Sequence, residues 1–300
     1  MKYRMLGRTH VRVSVVGIGT WQFSGDWGKD FTQEEVNTIL GRAGELGINL
    51  MDTAECYGPG HLSESLVGRF LKGQERGQWV VTTKFGHVPG WRPEQVRRSL
   101  EESLHALGTD YVDLYQFHSG SDEEFDTEGL WEMLEGQVRA GKVRHLGISI
   151  GGNDNLYQTA AAMRVGASAI QVVYNRLDRA AEQRVFPSCI EHDLGVLARV
   201  PLASGFLSGK YGPDAEFPAN DVRSRRDRAR IRQTVREVQQ IRQKEVPPGV
   251  EMASWALAWC LTHPAVSCVI PGCKSVEQVE SNAAAADLDM VPADHRQAWR

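Results

Sequence analysis

Short apolar runs alternate along this chain with longer stretches whose apolar positions recur at helical spacing. The start differs from the rest. Lys2–Leu6, the turn Gly7-Arg8-Thr9-His10 and Val11–Val15 predict a short antiparallel hairpin that caps the bottom of whatever follows. After it come predicted strands at Val15–Gly19, Asn49–Asp52, Gln78–Lys84, Asp110–His118, His145–Ser149, Ala169–Val173, Gly195–Val200 and Val266–Ile270. Helical patterns separate them: Thr32–Leu46, Ser63–Leu71, Pro93–Leu107, Thr127–Ala140, Asn153–Val165, Glu182–Asp193, Met252–Thr262 and Val276–Ala286. Pro93 suits a first helical turn, and Gly141 suits a helix C-cap. Strand and helix alternating eight times predict a (β/α)8 TIM barrel, with an open doubly wound sheet as the rival.

A polar residue closes each of four successive strands and favours the barrel. Asp52, Lys84, His118 and Ser149 lie 32, 34 and 31 residues apart, close to the roughly 30 residues of one strand, helix and connecting loops. Repeated once per unit, they describe a ring of functional groups at the carboxyl ends of parallel strands. Tyr57 follows Asp52 in the loop above the same strand. An acid, a phenol, an ammonium and an imidazole at one mouth can move protons. Lys84 and Asp52 can pair, and a lysine near Tyr57 lowers the phenol's pKa from about 10. Trp21, Trp27, Phe85 and Trp91 lie at or just past strand ends and are expected to line the pocket; Trp255 and Trp259, four apart, belong to the core.

Composition narrows the partners. Hydrophobic residues make up 41% of 300, enough for one barrel domain spanning 1–300. A net charge of −4 gives no general attraction to nucleic acid or anionic membrane. No apolar run spans a bilayer, and Met1–Gly7 holds no secretion signal, so a cytoplasmic protein is expected, as monomer or homo-oligomer. Five cysteines, Cys56, Cys189, Cys260, Cys268 and Cys273, read as reduced thiols without metal-ligand spacing, and no metal is expected. Only Cys56, beside Tyr57, is a candidate reactive thiol. Residues 212–248 break the rhythm as an insertion between the seventh strand and its helix, with a basic run from Arg223 to Arg230. It reads as a solvated basic helix, or as a lid that brings arginines to an anionic ligand.

The chain resembles the aldo-keto reductases. The resemblance is carried in order by Asp52-Thr53-Ala54-Glu55-Cys56-Tyr57-Gly58, Ser63-Glu64, Thr82-Thr83-Lys84, Asp113-Leu114-Tyr115-Gln116-Phe117-His118, Gly141-Lys142-Val143-Arg144 and Gly147-Ile148-Ser149. It continues through Gln171-Val172-Val173-Tyr174-Asn175, Pro201-Leu202-Ala203-Ser204-Gly205 and Ile270-Pro271-Gly272. It implies NADPH-dependent reduction of aldehydes or ketones, or the reverse on an alcohol or sugar, with NADH possible. Tyr57 would be the general acid, Lys84 would tune it, Asp52 would hold Lys84, and His118 would orient the carbonyl. The family's cofactor contacts map onto Gly19, Thr20, Trp21, Asp52, Ser149, Gln171, Arg199, Leu202, Ser204, Gly205, Leu207, Lys210, Ile270, Gly272, Lys274, Gln278 and Asn282. Arg199 stands where relatives stack an aromatic residue under the nicotinamide, and its flat guanidinium can do the same. Ile150 replaces a usual asparagine, Gln278 an arginine that meets the 2′-phosphate, and Ser281 a glutamate that meets the adenine. The chain ends at Trp299-Arg300, which leaves the long pocket-narrowing loop of many relatives missing or short. Two other classes use similar ingredients: an aldolase forming a Schiff base on Lys84, and a non-enzymatic module that senses a bound nicotinamide.

Overall fold

The computed structural model describes residues 1–153 and 155–289. The hairpin pairs β1 (Tyr3–Met5) with β2 (Arg12–Ser14). Eight parallel strands follow: β3 (Ile18–Gly19), β4 (Leu50–Asp52), β5 (Val80–Phe85), β6 (Val112–His118), β7 (Val143–Ser149), β8 (Ala167–Val173), β9 (Gly195–Arg199) and β10 (Cys268–Val269). They lie side by side in chain order. The first and last meet: Gly17 N–H donates to the Val269 carbonyl (2.8 Å), and Val269 N–H to that of Val15 (2.9 Å). That contact closes the sheet into a (β/α)8 barrel and leaves it no open edge.

The helices are α1 (Gln33–Glu45), α2 (Leu62–Leu71), α3 (Pro93–Leu107), α4 (Asp122–Phe125), α5 (Leu130–Arg139), α6 (Leu156–Ala161), α7 (Ala181–Glu191), α8 (Arg228–Lys244), α9 (Met252–Leu261) and α10 (Val276–Ala284). Local chemistry sets several ends. Thr32 and Glu35 form a capping box at the start of α1, and Gly108, at φ 62°, ends α3. The helix expected at Asn153–Val165 is shorter in the described residues, the one expected at Thr127–Ala140 is α5, and the short α4 before it is not among the expected helices. The insertion is not loop alone. It holds α8, whose Ile231, Val235, Val238 and Ile241 bury one stripe while its arginines face out. Residues 290–300, including the chain end at Trp299-Arg300, lie outside the described residues.

Period-two alternation sorts the barrel side chains. Leu50, Leu114, Ala169, Leu197 and Cys268 face inward near the bottom and pack with Leu6 and Val13 of the hairpin end. The hairpin is therefore a plug. Gly7 and Gly195 allow its close approach: a Cβ on Gly7 would sit 2.2 Å from the Gly195 nitrogen, and one on Gly195 would sit 2.6 Å from Leu6 Cδ1. Above this apolar layer the inward positions turn polar, so the one end of the barrel that stays open is the chemical end. Leu6→Ala should leave a cavity against Leu197 and cost about 2–5 kcal/mol, read as a lower denaturant midpoint with an unchanged m-value.

Candidate active site

Asp52 ends β4 at 2% exposure and is saturated with partners. Its Oδ2 accepts from Lys84 Nζ (2.7 Å), and its Oδ1 accepts from Thr82 Oγ1 (2.7 Å), Gln171 Nε2 (2.8 Å) and Gln116 Nε2 (3.3 Å). Lys84 is fully buried on β5 and spends all three ammonium protons, on Asp52, on the Thr53 carbonyl (2.6 Å) and on Tyr57 Oη (3.1 Å). Burial pulls the Lys84 pKa down, but Asp52 and Tyr57 outweigh it and set the net shift upward. The ammonium stays charged.

Tyr57 stands over this pair. Its ring stacks on Trp21 at 5.9 Å and meets His118 edge-on at 6.1 Å. The residue pattern along the chain predicts that Lys84 lowers the phenol's pKa. It does pull that way, yet burial pushes harder in the other direction, with Asp52 adding to it, so the phenol stands above its ordinary value. Tyr57 therefore holds its proton. His118, at the end of β6, is pushed well below the ordinary imidazole value, by burial first and then by Lys84, His87 and Arg199. It is a neutral ring.

Asp52, Tyr57 and His118 line the floor of a cavity of about 780 Å³ at the carboxyl ends of the strands, where parallel barrels keep their chemistry, and Lys84 is buried just beneath. Of the expected cofactor residues, Gly19, Thr20, Trp21, Asp52, Gln171, Arg199, Leu202, Ser204, Gly205, Lys210, Ile270, Gly272, Lys274, Gln278 and Asn282 line it, and so does Trp27. Ser149 and Leu207 do not. Ser149 lies behind Gln171, to which it donates (3.4 Å), and Leu207 is buried in the outer core. Phe85 and Trp91 are a correction to the expected pocket. Lys84 faces into the barrel, so its neighbour Phe85 must face out, where it packs on Tyr115 (4.8 Å) and on Trp91 (6.1 Å). Both aromatics belong to the layer between strands and helices.

The wall after β9 is strained. Val200, Ala203 and Ser204 have φ of 54°, 48° and 60°, left-handed values that cost on the order of 1–3 kcal/mol each and cluster at functional loops. Arg199 lies in this wall, its Nη2 donating to the Ile150 carbonyl (3.1 Å). Across the mouth, Val222 N–H donates to the Asp26 carbonyl (2.8 Å), and Arg223 pairs with Asp221 (2.6 Å) while its guanidinium lies 5.3 Å over Trp27. Part of the insertion thus bridges the opening as a strap, while α8 remains the solvated basic helix.

Sequence reasoning missed several residues. Thr82 and Gln116 sit two positions before Lys84 and His118, so same-face alternation would have found them. Cys56 and His87, from two different loops, also reach the His118 ring. Burial raises the Cys56 thiol to about 11, so in the free protein it stands as a thiol and not as a ready nucleophile.

Glu55 lies just behind the floor. It accepts from Gly86 N–H (2.9 Å) and from the Ser99 hydroxyl, and burial foremost raises its pKa to about 7. A carboxyl raised in the folded state stabilises below its unfolded pKa near 4.5 and loses that contribution as pH climbs through 7. Replacing it with Gln should flatten stability between pH 5 and pH 8, removing a fall on the order of 3 kcal/mol in wild type; unfolding free energies at several pH values check it.

Comparison with known proteins agrees with this architecture. The model of the Aldo/keto reductase family matches residues 15–298. An uncharacterized oxidoreductase of Bacillus subtilis, YrpG, is 32% identical over 97% of this chain and 92% of its own length. The NADH-specific methylglyoxal reductase of Escherichia coli is 30% identical over 98% and 96%. The holo form of the aldo-keto reductase AKR11C1 from Bacillus halodurans superposes with a TM-score of 0.81, at 30% identity over 99% of this chain and 95% of that one. With its barrel, its plug and its polar mouth, the chain belongs to the Aldo/keto reductase family and is an NAD(P)H-dependent oxidoreductase.

Proposed function

We propose that this enzyme reduces aldehydes or ketones to alcohols, with Tyr57 as the general acid and NADPH as the preferred cofactor. The observation that carries the reading is the chain Tyr57 Oη, Lys84 Nζ, Asp52 Oδ2, linked at 3.1 and 2.7 Å in the floor of the cavity. When bound, the nicotinamide supplies the hydride. Tyr57, a protonated phenol, gives its proton to the carbonyl oxygen as negative charge builds there. Lys84 stabilises the phenolate left behind, at the moment the charge appears. Asp52 keeps the ammonium in place and neutralises it beforehand, and Gln116, Gln171 and Thr82 hold Asp52. Neutral His118 can donate to the same carbonyl without adding a charge. Run in reverse, the same groups would oxidise an alcohol.

The residues fit the cofactor. Among the cavity-lining side chains, Trp27 Nε1, Arg199 Nε and Asn282 Nδ2 are buried donors without a partner. Gly272 presents bare backbone to the cavity, and the amide end of Gln22 lies over it. Lys210, Arg223 and Lys274 gather at the end away from Tyr57, and the Lys274 pKa is lowered by burial and then by Arg223. Asp221 pairs with Arg223 and lies 4.0 Å from Lys274 Nζ, so the positive excess rests on Lys210 and Lys274, and it suits phosphates. Arg199 presents its guanidinium to the nicotinamide end, where a cation favours the neutral reduced ring over the charged oxidised one.

The Schiff-base alternative meets an obstacle in Lys84. An amine attacks only after losing a proton, and this ammonium is raised, buried and triply bonded. A purely sensing module would not need Tyr57 held at that pair.

Tyr57→Phe should lower carbonyl reduction by about 10²–10⁴-fold with NADPH affinity nearly unchanged, measured by steady-state rates and cofactor fluorescence titration; a variant keeping a tenth of wild-type turnover would need another acid. NADPH should bind tighter than NADH by a narrow margin, because Gln278 spends its Oε1 on the Lys274 amide (2.8 Å) and lacks an arginine's fork. Lys274→Ala should erase that margin. Equal dissociation constants for the two cofactors in wild type would count against the assignment.

A further inference from the structure

Cys56, His87 and His118 come from three consecutive units of the barrel, 31 residues apart each time. Cys56 follows β4, His87 follows β5, and His118 ends β6. One ligand atom from each lies within 4.8 Å of the other two. Cys56 Sγ is 3.7 Å from His118 Nδ1, and the two imidazoles are 4.7 Å apart, centre to centre. A tetrahedral zinc with sulfur at about 2.3 Å and nitrogen at about 2.0 Å has a sulfur–nitrogen edge of about 3.5 Å. The observed edge is already close to that. Small side-chain rotations would bring all three onto one ion, and exposed His87 is free to make the largest.

The donor set selects the metal. One thiolate and two imidazoles suit a borderline-soft divalent ion of the zinc class, whereas magnesium and calcium require oxygen. The surrounding charge opposes a cation in part, since Lys84 and Arg199 both disfavour positive charge at His118; Asp52 pairs with Lys84 at 2.7 Å, and the thiolate that Cys56 becomes on binding supplies the compensating negative charge at the ion itself. Three protein ligands leave a fourth position open to the cavity that all three residues line.

We propose that Cys56, His87 and His118 form a binding site for a zinc-class divalent cation, and that the bound ion blocks carbonyl reduction. The metal–sulfur bond forms as the Cys56 thiol proton leaves to solvent. The imidazoles bind through nitrogen lone pairs, and no electron is transferred. The ion engages His118 and stands beside Tyr57, so the carbonyl loses its seat. That blockade rests on the roles given above to Tyr57 and His118; the binding itself does not.

Cobalt(II) tests binding without reference to activity, because its thiolate complexes show a near-ultraviolet charge-transfer band and tetrahedral visible bands. Titrating the cofactor-free protein should give a saturable thiolate band at one ion per chain, removed by zinc. Cys56→Ser should abolish the band, as the other four cysteines are buried. His87→Ala, an exposed change that spares folding, should weaken binding by at least the roughly 10–100-fold that losing even an outer-shell partner costs. No saturable band in wild type, or a band that survives Cys56→Ser, would overturn the site. Zinc should also inhibit aldehyde reduction competitively with the aldehyde, reversibly on chelation, and without effect on whatever activity Cys56→Ser retains. A band with undiminished reduction would overturn the blockade alone. Failure of the metal-free protein to reduce any carbonyl would overturn the reductase reading, and the cobalt band would still decide the site.

Discussion

The buried ion pair between Lys84 and Asp52 is the constraint around which the open end of this barrel is arranged. An unpaired charge at that depth would be prohibitive, and breaking such a pair from one side typically costs about 3–5 kcal/mol. The pair persists because both members are saturated. Asp52 accepts four hydrogen bonds, from Lys84, Thr82, Gln116 and Gln171, and Lys84 donates three. One of Lys84's three goes to Tyr57. A group required for electrostatic balance in the folded state is thus the same group that can receive charge during the reaction.

The geometry of a closed parallel barrel supplies this arrangement at small cost. Inward positions stack in layers, so the plug of Leu6 and Val13 fills the bottom and leaves the upper layer free to be polar. Gln116 shows how tightly the layers fit, since a Cβ on neighbouring Gly147 would lie 3.0 Å from its Cγ. The strap from Asp221 to Arg223 covers part of the opening by bonding to Asp26 and lying over Trp27. Burial strengthens the electrostatic contacts of Asp52 and Lys84 beneath it.

At Tyr57 and His118 protonation follows from burial more than from neighbouring charge, whereas at Lys84 the neighbours win. Tyr57 keeps its proton although Lys84 is adjacent, and His118 stays neutral because both desolvation and nearby cations disfavour an imidazolium. A donor phenol and an uncharged imidazole therefore face one small volume.

Much of this is legible along the chain because barrel units repeat. One strand and one helix per unit make the eightfold alternation visible, and the strand-end residues Asp52, Lys84 and His118 announce a shared mouth by their spacing alone. The hairpin is legible for the opposite reason, as the one antiparallel element in a parallel pattern. What the sequence could not decide were quantities summed over the whole environment and contacts between residues far apart in the chain. The direction of the Tyr57 shift depends on how deeply the ring is buried. The outward turn of Phe85 depends on which alternating face of β5 meets the barrel axis, and that is set by Lys84 finding Asp52. The triad of Cys56, His87 and His118 repeats every 31 residues, but Cys56 and His87 lie in loops, whose side-chain directions are set only when three strands lie side by side. Sequence determines the repeating unit, whose interactions are local; closure of the barrel determines which side chains share a cavity, because proximity across strands exists only after the sheet has curled.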